Sequence, residues 1–233
     1  DDLIIGVLRD ITRFRSLEYS DRIHLAVSNS LSMILDSSDL NTSIMGLLEI
    51  FGDALVVDRG RLVRFRKDGR SFVTHEWNRN ANNEQSELPE SISPELAQWW
   101  KEELLKDGVV AISSGSDMEL PDSIESEFNK WISGSAIALS IVINGELEGF
   151  ASFESKHNRA WLPIEMDEAK TIIVGYTRSV ERRIEDRHQA VQEYELRLSE
   201  EKYRVLTVNS PVILFGIDPS GLFTLSEGIG LES

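Results

Sequence analysis

Between positions 20 and 36 the apolar residues Ile23, Val27, Leu31, Ile34 and Leu35 recur at intervals of three, four and one, the spacing of a helix with one buried face. Ahead of them Leu3, Ile4, Ile5 and Val7 form a short apolar run that turns polar after Arg9, which predicts a strand leading into that helix. Asp39 and Asn41 suit the cap of a second helix through Ile44, Leu47, Leu48 and Phe51, because short polar side chains accept from the free amides of a first turn. The period then falls to two. Val57, Arg59, Arg61, Val63 and Phe65 share one face of a predicted strand, Leu62 and Arg64 the other, and Asp68-Gly69 predicts a hairpin turn into 71–77.

The polar stretch NRNANNEQSELPES, 78–91, predicts a loop of the length that often carries function. Ser93 as N-cap, Pro94 at the first position, Glu95 in the first turn and Gly108 past the end then delimit a helix. A short strand (VVAIS) and a helix ending near Trp131 follow. The strand 135–143 enters a hairpin at Asn144-Gly145, whose second strand sends Leu147, Gly149, Ala151 and Phe153 one way and Glu148, Phe150, Ser152 and Glu154 the other. Its small residues suit close packing and predict a place at the sheet centre. Glu154 and Arg159 are expected to pair at the strand exit. From about Pro163 to Lys202 the spacing is helical again. Ile173, Val180 and Tyr194 form one row at multiples of seven, and Thr177, Ile184, Val191 and Leu198 the complementary row, with Arg187 and Glu201 as interruptions. No Pro or Gly falls between Tyr176 and Ser210, so this helix is expected to outrun its domain and pair with a second copy through Val180, Ile184, Val191 and Leu198.

The length of 233 residues allows one ordinary domain with flanking pieces. The balance of 24 Lys+Arg against 40 Asp+Glu gives a formal charge of −16, which repels phosphate backbones and anionic lipid, so neither nucleic acid nor membrane is expected as a partner. Neither a leader nor a spanning run is visible, and a cytoplasmic location is expected. The absence of Cys removes thiolate metal sites, Cys nucleophiles and thioether-attached chromophores. His24, His75, His157 and His188 have no metal-ligand spacing, and no metal is expected. There is no G-x-S-x-G elbow or Walker loop, the GxG at 228–230 lacks its third Gly, and the carboxylate pairs Glu102-Glu103 and Glu200-Glu201 sit on helical faces. No catalytic residues are assigned, and no enzyme activity is expected of this chain.

The order of these elements, with GDALVVDRGRLVRFRKDG, THEW, WWKEELLKDGVVAIS and SAIALSIVINGELEGFASFES followed by RAW and a long helix, resembles a GAF domain over residues 21–186. Residues 1–20 are similar to the last strand and exit linker of a PAS domain, 187–202 to a signalling coiled-coil helix, and 203–233 to the first part of another PAS domain. Such an arrangement resembles an excerpt of a multidomain sensor, of the sensor-kinase or diguanylate-cyclase kind. The resemblance implies an α+β fold, a central antiparallel sheet of five or six strands with helices packed on it and long terminal helices. It also implies a small-molecule pocket without naming the ligand, and no cofactor is assigned. In that fold the five Trp, at 77, 99, 100, 131 and 161, are expected around the sheet face opposite the terminal helices. Phe65, Trp77, Trp99, Trp100, Trp131, Phe150 and Phe153 are the expected pocket lining, with plain core packing as the competing reading. The functions that follow are a sensory domain that binds a small ligand or relays a signal through paired helices, or a ligand-free dimerisation module.

Overall fold

The computed structural model describes residues 2–36, 39–80, 91–113, 120–132, 134–209 and 214–227. Its first unit, residues 1–181, runs in the order α1 (Asp2–Asp36), α2 (Leu40–Leu55), β1 (Arg59–Phe65), β2 (Ser71–Asn78), β3 (Ser91–Ile92), α3 (Pro94–Asp107), β4 (Val109–Ile112), α4 (Asp122–Trp131), β5 (Ser135–Ile143), β6 (Glu146–Ser155) and the start of α5 (Pro163–Asn209). The second unit, 182–233, holds the rest of α5 and a hairpin of β7 (Leu214–Ile217) and β8 (Phe223–Glu227).

The six strands of the first unit form one antiparallel sheet in the order β3-β2-β1-β6-β5-β4, which is the expected α+β architecture with β6 beside the centre. Side-chain alternation divides its residues between two cores. Leu62, Ile137, Leu139, Ile141, Ala151 and Phe153 pack beneath α1, α2 and α5. Val63, Phe65, Ala136, Ala138 and Phe150 pack beneath α3 and α4. Period two therefore sets which helix layer each strand residue serves.

Local chemistry terminates the elements as the sequence predicts. Asp39 accepts from the amides of Asn41 and Thr42 at the start of α2, and Ser93 from that of Leu96 at the start of α3. Gly108 closes α3 at φ 72°, and Asn144 and Gly145 turn the β5–β6 hairpin at φ 52° and 82°. Helix α5 runs unbroken over 47 residues.

Three expectations are corrected. The run at Leu3–Val7 is helical, not a strand, because α1 begins at Asp2; a short apolar run carries no period of its own, and here it continues the helix behind it. The stretch expected as loop 78–91 contributes Asn78 to β2 and Ser91 to β3, while 81–90 lie outside the described residues, as does the GxG at 228–230. Leu147 packs with the α3–α4 core rather than with Gly149 and Ala151. Ile141 pairs with Gly149 and Val142 with Leu147, so Glu148 is an extra residue that reverses the alternation.

Candidate functional site

Five of the seven residues expected to line a pocket meet on the α3–α4 face. Trp100 stacks on Phe150 with centroids 4.8 Å apart and on Phe128 at 5.9 Å. Trp99 sets its edge against Trp100 and Phe128, at 4.9 and 5.2 Å, and Phe65 tilts onto Phe150 at 5.8 Å. Trp131 closes the end of the same cluster. All are buried; Phe65, Trp99, Trp100 and Phe150 meet other rings of the cluster, while Trp131 is covered by the Arg61 guanidinium. Among the described residues these rings form packed core, with geometry that adds favourable edge and offset contacts to the area they bury.

Trp77 and Phe153 lie on the other face, under the terminal helices, as does Trp161. For Trp77 the cause is a second bulge: Leu62 pairs with His75 and Val63 with Val73, so Thr74 is extra and every later β2 side chain changes face. Trp77 then covers Gly52 of α2, where a Cβ would meet its ring at 2.4 Å. Phe153 is three residues from Phe150, hence opposite it, and meets Phe51 edge-on at 5.1 Å.

Beside Trp131 the sheet buries a charged cluster. Arg61 is 0 % exposed and Glu154 4 %. Glu154 Oε2 accepts from Arg59 Nε and Nη2 at 3.1 and 2.8 Å and lies 3.3 Å from Arg61, while Oε1 accepts from the Ser152 hydroxyl at 2.9 Å. Glu76 approaches Arg61 at 3.4 Å. The Trp131 carbonyl accepts from Arg59 at 3.1 Å, and the Arg61 guanidinium sits 4.3 Å over the Trp131 ring. Two guanidiniums face two carboxylates, and the Ser152 hydroxyl is held in the same buried network. It forms a buried polar end to an aromatic core. The expected Glu154–Arg159 pair is corrected accordingly: β6 turns Glu154 towards Arg59 and Arg61, and Arg159 beyond the exit reaches Glu165 instead. The signal for this cluster was two Arg at alternate positions on the inward face of β1, where an unpaired charge is too costly to bury.

A second polar junction ties the helices. Glu165, 0 % exposed at the start of α5, accepts from Tyr19 of α1, from Arg159 and from the Leu162 amide. Arg159 also donates to the Leu55 carbonyl at the end of α2, at 2.8 Å. Burial, then the Glu165 carboxylate, push the Tyr19 hydroxyl above its usual range. Burial opposes charge on Arg159, and Glu165 overrides it. At the opposite end of the sheet the Asn144 amide donates to Glu181 of α5 at 2.8 Å.

The expected pairing row is divided. Val180 packs against the core of its own unit, and Ile184 is half-buried. Val191 is 51 % exposed and Leu198 39 %. His75, on β2, shares contacts of 3.0 Å with Thr74 Oγ1 and 3.2 Å with Asn41 Oδ1. It borders a cavity of about 150 Å³ beneath α2 and α5, which none of the seven expected residues lines. His24 lies 3.1 Å from Glu168. Among the described residues no group of His, Asp or Glu is placed to hold a metal ion, and no helix is long and apolar enough to cross a membrane.

No family model matches the chain, and no curated protein matches it. Solved structures do. The phycocyanobilin-bound GAF domain from a cyanobacterial phytochrome superposes with TM-score 0.58 at 18 % identity, over 69 % of this chain and 94 % of that one. The fold is that of a GAF domain. The phycoerythrobilin-bound GAF domain from a cyanobacterial phytochrome gives TM-score 0.60 at 18 % identity, over 71 % and 98 %. The bacteriophytochrome RpBphP3 of R. palustris gives 0.61 at 14 %, where the match covers 81 % of this chain and 42 % of that protein.

Proposed function

We propose that this chain is a sensory GAF module that passes a signal along α5 to an output domain by pairing with a second copy. The observation that carries this is the course of α5. Its first part is fixed to the sheet through Ile172, Ile173 and Tyr176, buried beneath α1 and α2, and through Glu181 at the β5–β6 turn. The same helix continues without a break past Val191 and Leu198, which stand seven apart and expose apolar surface. Val205, seven further on, is also exposed. An apolar row at this period on a lone helix is unfavourable in water, and a twin helix covers it. Ligand or neighbour contacts that favour one packing of the sheet against α5 then bias the register of the pair, and a difference of about 1–3 kcal/mol between two states suffices.

A bilin, as held by the phytochrome domains, does not suit the described residues. The chain has no Cys to anchor one, and Trp99, Trp100, Phe128 and Phe150 already fill the face between the sheet and α3 and α4. That filling favours the rival reading, a ligand-free dimerisation module. Residues 203–233 are read as the start of a PAS domain, supported by the β7–β8 hairpin, and 1–20 as a linker from a preceding one. The experiment is light scattering on the chain and on an Ile184→Asp, Val191→Asp double variant. The chain gives twice the mass of one copy and the variant the mass of one; an unchanged mass in the variant removes α5 pairing.

A further inference from the structure

The helix-side cavity goes beyond that reading, because it lies on the sheet face opposite the filled aromatic core. Two bulges make it. Thr74 is the extra residue in β2 and Glu148 the extra residue in β6, and these strands flank β1 at Leu62–Arg64 on its two sides. Each bulge bends its strand away from regular pairing, and residues from both line the resulting space of about 150 Å³. Gly149 is required beside the second bulge, since a Cβ there would lie 2.1 Å from the Val63 carbonyl oxygen.

The walls state what fits. Ile44, Leu62, Ile141 and Val180 are aliphatic, and aliphatic cavities of this volume admit a benzene-sized molecule. One side is polar but uncharged, with His75 held between Thr74 Oγ1 at 3.0 Å and Asn41 Oδ1 at 3.2 Å. The charged wall residues, Arg64 and Glu148, approach each other at 3.6 Å and offset one another. An ionised guest would give up its hydration for a wall whose two charges are of opposite sign, which favours a neutral one.

We infer that this cavity is a binding site for a small neutral aromatic molecule carrying one hydrogen-bonding group, which seats its ring on the aliphatic wall and its polar group at the edge formed by Asn41, Thr74 and His75. The occupant also touches α5 directly at Tyr176 and Val180.

Calorimetric titration of the full chain with indole tests this. The expected result is saturable binding with a dissociation constant of about 1 mM or tighter. Ile143→Phe, which fills the cavity from a half-buried position on β5, weakens it by about tenfold or more, and benzoate binds the unaltered chain about tenfold more weakly than indole. If Ile143→Phe does not fold, Leu40→Phe fills the space from α2. No saturable binding up to about 5 mM overturns the proposal, and so does equal affinity in a folded filling variant, which would place indole elsewhere. The Ile184→Asp, Val191→Asp variant retains indole binding, so failure of helix pairing and failure of this site are read separately.

Discussion

Glu154 accepts from Arg59 and Ser152 and sits beside Arg61, in a place where water is nearly excluded. Removing its charge leaves Arg59 and Arg61 facing Glu76 with no second carboxylate in the cluster, and breaking comparable buried pairs costs about 3–5 kcal/mol. Glu154→Gln is therefore expected to lower the unfolding free energy by that amount in urea titration, and a loss under about 1 kcal/mol would mean that the cluster is screened like a surface pair. His75 acts through its proton instead. Burial holds its pKa below the usual 6.5, with Asp39 pulling weakly the other way. The folded pKa is below the unfolded one, so the unfolded chain binds more protons as the solution turns acidic. Stability is unaffected above 6.5 and declines as pH falls from there through the folded value. In His75→Gln, urea midpoints measured across this window should decline less steeply than in the unaltered chain; parallel declines would assign the acid sensitivity to other groups.

At the scale of elements, what was legible in the sequence is what local chemistry decides. Asp39, Ser93, Gly108 and the Asn144-Gly145 pair each satisfy or reverse a backbone within a few residues, and each does so where the spacing places it. Face assignments were legible only inside a regular strand: Val57, expected to share the face of Val63 and Phe65, precedes β1 and packs in the opposite core, and the alternation fails again at each bulge. Nothing in THEW marks Thr74 as an extra residue, because a bulge follows from how β2 must match β1 across the sheet. Trp77 changed face for that reason, and Leu147 for the same reason at Glu148. Phe150 and Phe153 could be separated by parity alone, since three is an odd number of positions. The cavity was illegible because it exists only where two displaced strands and two helices meet. The sequence places Arg59 and Arg61 on one strand face with Val63 and Phe65, but their partner Glu154 lies about a hundred residues away and is found only through strand pairing.

In the molecule as a whole, one face of the sheet is closed by aromatic rings, and α5, which packs on the other face, continues with an apolar row exposed. The face under α1, α2 and α5 holds both the small cavity and the buried root of α5. Position 191 reads pairing in the long helix directly, since the chain has no Cys of its own. In a parallel pair with Val191 on the seam, the two copies of that residue face each other, within the Cα separation of about 4.4–6.8 Å that a disulfide spans. The measurement is oxidation of Val191→Cys beside Glu193→Cys, followed by non-reducing electrophoresis. The account predicts near-complete covalent dimer for Val191→Cys and little for Glu193→Cys. Equal crosslinking at both positions, or none at Val191→Cys, would contradict it.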